Sequence, residues 1–290
     1  MRHTEVHELK QPSRKTIAIL LICLSIMLLG AYAATRVSAW IADKRAQAYY
    51  DSLPDMFEVQ EVPPERIDQP GLDESPEGNG AALLPEQTDP TGENTIVRTP
   101  ETIAFTKDFD ALRAACPGVV GWIRIEGTSI NYPLMQSDDN DYFLTHLPSG
   151  QQNKAGSIFL DYRVSADFTS PVTPIFGHNL LNGKMFSALE GYKQQSFYHK
   201  HPSAQVFIPD EELIVQFFAA FVLDSYEETL PLRFSGEQSF NRFIEGALER
   251  SLISSSVTAA FGDRLVYLIT CDYTLRQRDQ GRTVVVGKVS

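Results

Sequence analysis

The run TIAILLICLSIMLLGAYAAT, from Thr16 to Thr35, carries no charge and is flanked by Arg14 and Lys15 before it and Arg36 after it. About 20 such residues at roughly 1.5 Å each match a bilayer's hydrocarbon core, where a helix satisfies its own backbone. The run is therefore read as a transmembrane anchor, residues 16–35. The small-x-small AYA at 31–33 also has the form that a signal peptidase accepts. The apolar run is long for the core of a cleaved signal, so an uncleaved anchor is expected. Arg2, Lys10, Arg14 and Lys15 all precede the span. The positive-inside tendency then leaves residues 1–15 in the cytoplasm and everything after Trp40 outside.

Charge divides the remainder. Residues 1–50 carry 7 basic and 3 acidic side chains, residues 51–100 carry 2 and 12, and the rest carries 16 and 22. The net charge of −12 argues against a nucleic-acid surface. The stretch 36–101 begins as a short juxtamembrane helix through SAWIADKRAQAYYDSL and continues as an acidic, proline-rich linker. Its composition cannot bury enough apolar area to offset the entropy of ordering, so an extended tether is expected there. Whether that tether supplies reach from the membrane or is a plain connector stays open.

From about Thr102 to the end at residue 290 the pattern is globular. FTKDFDALRAACPG reads as a helix stopped by Pro117 and Gly118. VVGWIRIEG and SINYPLM, separated around Gly127, read as a hairpin, and DNDYFLTHL as a turn or two of helix. GSIFLDY, PVTPIFG, AQVFIP, ELIVQFFAAFVLD, RLVYLIT and RTVVVGKV are strand-like. Phe240, Phe243, Ile244, Ala247 and Leu248 form a helical stripe in GEQSFNRFIEGALERSLISS. Many short strands with few helices indicate a small β-barrel or sandwich in one domain.

Three cysteines differ by position. Cys23 lies in the apolar span, Cys116 at a helix end, and Cys271 at the end of a strand-like run. Outside the cell, a Cys116–Cys271 disulfide in a surface-anchored binding module is one reading. The other makes Cys271 a nucleophile, which requires a proton-transfer group and a donor for the developing oxyanion. Arg282 opens the next apolar run. Among the histidines, His199 and His201 in SFYHKHP read as a solvated helix end, and no metal site is expected there. His146 has no telling context, whereas His178 follows a strand that breaks at Gly177. The DDND segment at 138–141 lacks the alternating ligands and distant Glu of a calcium loop and reads as an acidic helix start.

The segments INYPLMQSDDNDYFLTHLPSGQQNKAGSIFLDYR, TPIFGHNLLNGKMFSALEGYKQQSFYHKHP and LVYLITCDYTLRQRDQGRTVVVGKV resemble those of class B sortases, cysteine transpeptidases of Gram-positive cell surfaces. The resemblance covers essentially all of 102–290. It implies a mainly β fold: a closed sortase-like barrel with peripheral helices, including an N-terminal helix and one before the cysteine strand. It implies that 102–290 is the catalytic domain, with Cys271 in LITC as nucleophile, His178 in FGHN as acid and base, and Arg282 in GRTVVV as the oxyanion donor. Asn140 and Leu144, in DDNDYFL, fall where related enzymes line the peptide groove. The family's strand motif usually begins with Thr and often has Ser before the final Thr-Cys, whereas this chain has Tyr267 and Ile269. Asp272 and Asp279 are both candidates for a supporting acidic role.

The implied reaction cleaves a C-terminal sorting motif of secreted proteins through a thioester on cysteine. It passes the acyl group to a peptidoglycan-precursor or pilin amine and needs no cofactor. A cysteine peptidase or wall-peptide hydrolase would use the same thiol and imidazole but accept water. In papain-like hydrolases the cysteine precedes the histidine, the reverse of the order here.

Overall fold

A computed structural model of the protein describes residues 14–56, 109–224, 228–272 and 281–290. The extreme N-terminus with Arg2 and Lys10, the acidic segment 57–101, the start of the globular part at 102–108 with the first residues of the helix expected from Phe105, and Asp279 lie outside the described residues.

Eight strands among the described residues form one closed barrel. They are β1 (Val119–Arg124), β2 (Asn131–Met135), β3 (Ile158–Leu160), β4 (Val172–Phe176), β5 (Ser203–Ile208), β6 (Glu211–Asp224), β7 (Leu265–Asp272) and β8 (Gly281–Val289). Their order around the barrel is β1-β2-β3-β4-β7-β8-β6-β5, with β5 closing on β1. The open choice between barrel and sandwich resolves to the barrel, which leaves no free sheet edge. The β1–β2 hairpin is antiparallel as expected. Two pairs, β2–β3 and β4–β7, are parallel, so β7 is inserted between β4 and its hairpin partner β8.

Burial is nearly continuous along β2, β3, β4 and β7, which are covered on both faces, and alternates over the first halves of β5 and β6. Trp122, Phe207, Phe217, Leu268 and Val285 are among the side chains withdrawn from solvent. A buried aliphatic or aromatic side chain contributes about 1.5–3 kcal/mol, and such residues dominate every strand. Helix α4 (Glu237–Glu249) lays Phe240, Ile244 and Ala247 on a cluster that includes Phe218 and Phe221 of β6 and Tyr267 of β7. Phe243 is half-buried against the same cluster, but Leu248 is 48% exposed, so the stripe read from the sequence is one residue too wide. A 3-10 helix at Phe186–Lys193 buries Phe186, Leu189 and Tyr192, spaced by three as that geometry requires.

Helix α1 (Arg14–Met56) has 43 residues and is about 65 Å long. Among the described residues it alone is long and apolar enough to cross a membrane. It is exposed over most of its length, but Ala46, Tyr50 and Leu53 are buried. Their spacing of four and three puts them on one helical face. That face meets the barrel: the Tyr50 ring stands edge-on to Tyr132 of β2 at 5.6 Å, and Lys184 Nζ pairs with Asp51 at 3.1 Å. The short α2 (Phe109–Ala115) follows, with Cys116 beyond it, and α3 (Gln195–Lys200) precedes β5.

Candidate active site

Two cross-strand registers build the site. In β7–β8, Cys271 lies directly opposite Arg282, so both side chains leave the sheet on one face. In β4–β7, Phe176 lies beside Ile269, and Gly177 N–H extends that register by donating to the Ile269 carbonyl at 3.1 Å. Continuing two residues brings His178 alongside Cys271. Neighbouring strands are about 4.8 Å apart, so His178, Cys271 and Arg282 form a row across three adjacent segments of the sheet at the barrel rim.

Around this row is a cleft of about 270 Å³, lined by Asn140, Leu144, Phe159, Phe176, Gly177, His178, Ile269, Thr270, Cys271 and Arg282. All five residues nominated from the sequence therefore meet in one place. A second cleft of about 270 Å³ shares Phe176, Ile269 and Arg282 and continues over Leu223, Leu230 and Leu232. Together they make a groove with apolar walls, in which the thiol and imidazole line the first cleft, the guanidinium lines both, and Asp161, Arg163 and Glu228 line the second.

Local hydrogen bonds hold each member. His178 Nε2 is 2.7 Å from the Leu144 carbonyl, which accepts only, so Nε2 carries the proton and Nδ1 is left for proton exchange. Phe186 N–H donates to the His178 carbonyl at 2.9 Å. Asn179 Nδ2 donates to the Cys271 carbonyl at 2.9 Å, and Thr270 Oγ1 to the Gly177 carbonyl at 2.8 Å. Arg282 Nη1 donates to the Gly281 carbonyl at 2.8 Å, which fixes one end of the guanidinium. Asn179 and Thr270 were not singled out by sequence; Asn179's place beside His178 was its only signal.

The groove residues differ in what they offer. Leu144 is partly exposed, and its backbone is the acceptor for His178. Asn140 is committed to the wall, because its Oδ1 accepts Tyr162 N–H at 3.0 Å. Beneath it, burial opposes ionisation of Asp161, but Arg163, with Nε at 2.9 Å and Nη2 at 2.7 Å, and Asn140 outweigh that and hold the carboxyl below its usual range. Asp139 Oδ1 accepts the N–H groups of Asp141 and Tyr142, so DDND does start a short helix, Tyr142–Leu144.

On the opposite face of β7, Asp272 is fully buried and pairs with Lys193 Nζ at 2.7 Å, while Lys193 also meets Glu190 at 2.6 Å. Burial disfavours the Lys193 ammonium, yet these two carboxylates raise its pKa overall. The Thr283 hydroxyl lies 2.7 Å from Glu190 and 3.0 Å from Asp272. This network braces the cysteine strand from behind and stands outside the cleft.

Tyr267 and Ile269 share the face of Cys271, four and two residues before it. Tyr267 is covered by α4, with Phe243 at 5.5 Å, and its buried hydroxyl has no hydrogen-bond partner among the described residues. Ile269 lines both clefts. The face thus passes from core to groove to thiol along one strand.

Cys116 and Cys271 are both free thiols, so the disulfide-bonded binding module is set aside. Cys116 is fully buried, burial pushes its pKa up, and its sulfur lies 3.4 Å from the Tyr49 hydroxyl. His146 stacks on Tyr142 at 4.0 Å, and His199 and His201 sit at the end of α3, hydrogen-bonded to Gln195 and to the Glu126 carbonyl.

No protein-family model matches the chain. It is 34% identical over 171 residues to the sortase B of Listeria monocytogenes, an overlap of 59% of this chain and 69% of that protein. With the sortase B of Staphylococcus aureus it shares 30% identity over 181 residues, 62% of this chain and 74% of the relative. Among solved structures it is similar to a Staphylococcus aureus sortase B–substrate complex, with a TM-score of 0.59 at 30% identity over 63% of this chain and 84% of that one. Sortase B of Bacillus anthracis in complex with AAEK1 matches with a TM-score of 0.57 at 33% identity, over 63% and 84%. The chain therefore belongs to the sortase B family and is a cysteine transpeptidase, cleaving a C-terminal sorting motif of secreted proteins through a thioester and passing the acyl group to an amine.

Proposed function

We propose that Cys271, His178 and Arg282 carry this reaction and that Asn140 and Leu144 form part of the wall that receives the sorting motif. The row of these three residues, His178 just past β4, Cys271 on β7 and Arg282 on β8, is the observation that supports the assignment. The Cys271 thiolate adds to the carbonyl of the scissile peptide bond, and the tetrahedral oxyanion forms against the Arg282 guanidinium. A fixed donor of this kind is worth about 3–4 kcal/mol of barrier, or 10² to 10³ in rate. His178, protonated on both nitrogens at this stage, gives its Nδ1 proton to the departing amine as the C–N bond breaks, leaving a thioester on Cys271. The incoming amine then attacks the thioester and loses a proton to His178, and the new amide forms as the thiolate leaves.

The groove suits an extended peptide: Phe176 and Ile269 line both clefts beside Arg282, with Leu223 in one and the thiol and imidazole in the other. A solved sortase B is complexed with triglycine, which supports a short glycine-rich or other primary amine of the cell wall, or a pilin lysine, as acceptor here. Residues 16–35 of α1 are placed in the cell membrane, 1–15 in the cytoplasm, and the catalytic domain 102–290 outside. The test is acyl-enzyme trapping with sorting-motif peptides, read by mass spectrometry. Cys271→Ala abolishes the adduct, and Arg282→Lys, which keeps the charge but loses the planar fork, lowers turnover by about 10² or more. A persisting adduct in the first variant, or normal turnover in the second, overturns the assignment.

A further inference from the structure

We infer that Tyr50 of the N-terminal helix is a positioning residue for His178, so that the helix leaving the membrane completes the active site. The inference rests on the reading of His178 as the proton-transfer group.

The connection runs through one turn of chain. Tyr50 is buried and its hydroxyl donates to the Gly156 carbonyl. Asn153, three residues earlier, donates from Nδ2 to the Ala42 carbonyl of α1 at 3.3 Å and from its backbone N–H to the Thr145 carbonyl at 2.8 Å. Gly156 N–H closes the turn on the Asn153 carbonyl at 3.1 Å. The turn 153–156 is thus clamped to α1 at both ends.

Its other side faces the histidine. Gly156 has φ +62°, and a β-carbon there would stand 2.7 Å from the Leu144 carbonyl oxygen and 3.0 Å from His178 Cδ2. The Leu144 carbonyl is the group that binds His178 Nε2–H. Next along the chain, Ser157 N–H donates to the Phe143 carbonyl at 2.8 Å, tying the turn to the same segment. The imidazole therefore has α1 behind it in two steps: Tyr50 sets Gly156, and Gly156 backs both the ring edge and the ring's hydrogen-bond acceptor. Reaction geometry tolerates little looseness, since displacement by about 1 Å costs on the order of 10²-fold in rate. A ring freed to move by part of that distance loses proton transfer while the peptide groove stays intact.

The test uses the full-length enzyme in detergent micelles, with steady-state kinetics on a sorting-motif peptide and an oligoglycine acceptor. Tyr50→Phe keeps the ring packing and removes only the hydroxyl. The expected result is a fall in kcat of about tenfold with KM within twofold. Broadening or loss of the hydrogen-bonded His178 Nε2–H proton resonance accompanies it, measured well below the unfolding midpoint of both proteins, which the unpaired Gly156 carbonyl lowers in the variant. Tyr50→Ala deepens the kcat loss. His178→Ala is measured in parallel. If it abolishes turnover while Tyr50→Phe retains parental kcat and the parental resonance, the positioning role is overturned and the catalytic assignment stands. If His178→Ala turns over normally, the catalytic assignment fails and the positioning role fails with it.

Discussion

Replacing Gly156 by alanine tests the packing behind the histidine from the barrel side. The left-handed conformation at φ +62° costs an L-residue about 1–2 kcal/mol. The added methyl would meet the Phe143 carbonyl oxygen at 2.6 Å and the Leu144 carbonyl oxygen at 2.7 Å, both backbone atoms that cannot rotate away. Restoring an ordinary separation of about 3.5 Å needs a movement of just under 1 Å. Overpacking of this kind adds about 1–3 kcal/mol, for a total near 2–5 kcal/mol. For a domain of this size that is a fall in Tm of roughly 4–20 °C, read by scanning calorimetry. The displaced carbonyl is the one that binds His178, so kcat drops about 10- to 100-fold below the unfolding temperature. Gly183→Ala is the control: it has φ +77° but open space around the new methyl, so it loses about 1 kcal/mol and no activity. Parental Tm and kcat in Gly156→Ala would refute the reasoning.

The buried network and the core supply three further tests. Tyr267→Phe removes a buried hydroxyl without a partner and stabilises the fold by about 1 kcal/mol or more, raising Tm by a few degrees. Lys193→Met removes one charged hydrogen-bond partner from the buried Asp272 carboxylate and costs about 1–3 kcal/mol in urea unfolding; removing the exposed Arg113–Asp110 pair costs under about 1 kcal/mol. Asp161 titrates below its ordinary value of 3.8, so its stabilisation is complete above that pH and is lost as pH falls through the lowered value. Asp161→Asn therefore flattens the acid limb of the stability profile, and an unchanged limb would show that the Arg163 pair contributes nothing.

How much of this was legible in the sequence depends on the range of the signal. Strand and helix identities came from local alternation and punctuation, and the β7–β8 hairpin, with Cys271 opposite Arg282, follows from two apolar runs joined by a short polar loop. The parallel pairing of β4 with β7 has no local signature, because 88 residues separate Phe176 from Leu265. Only the family resemblance brought His178 to Cys271 before the structure did. The excess width of the α4 stripe reflects geometry, since a helix on a convex barrel buries Phe240, Ile244 and Ala247 and leaves Leu248 past the line of contact. Gly156 and Tyr50 carried no readable chemistry at all: one acts by lacking a side chain, the other through a single hydroxyl 106 residues away.

The docked end of α1 also bears on where the enzyme works. With residues 16–35 in a bilayer, the first hydrogen bond to the barrel, at Ala42, comes seven residues past Thr35, about 10 Å of helical rise. On the proposed membrane placement, working height is a matter of pitch, as with a lamp on a short stem, and acyl donor and amine alike would be delivered at the membrane surface.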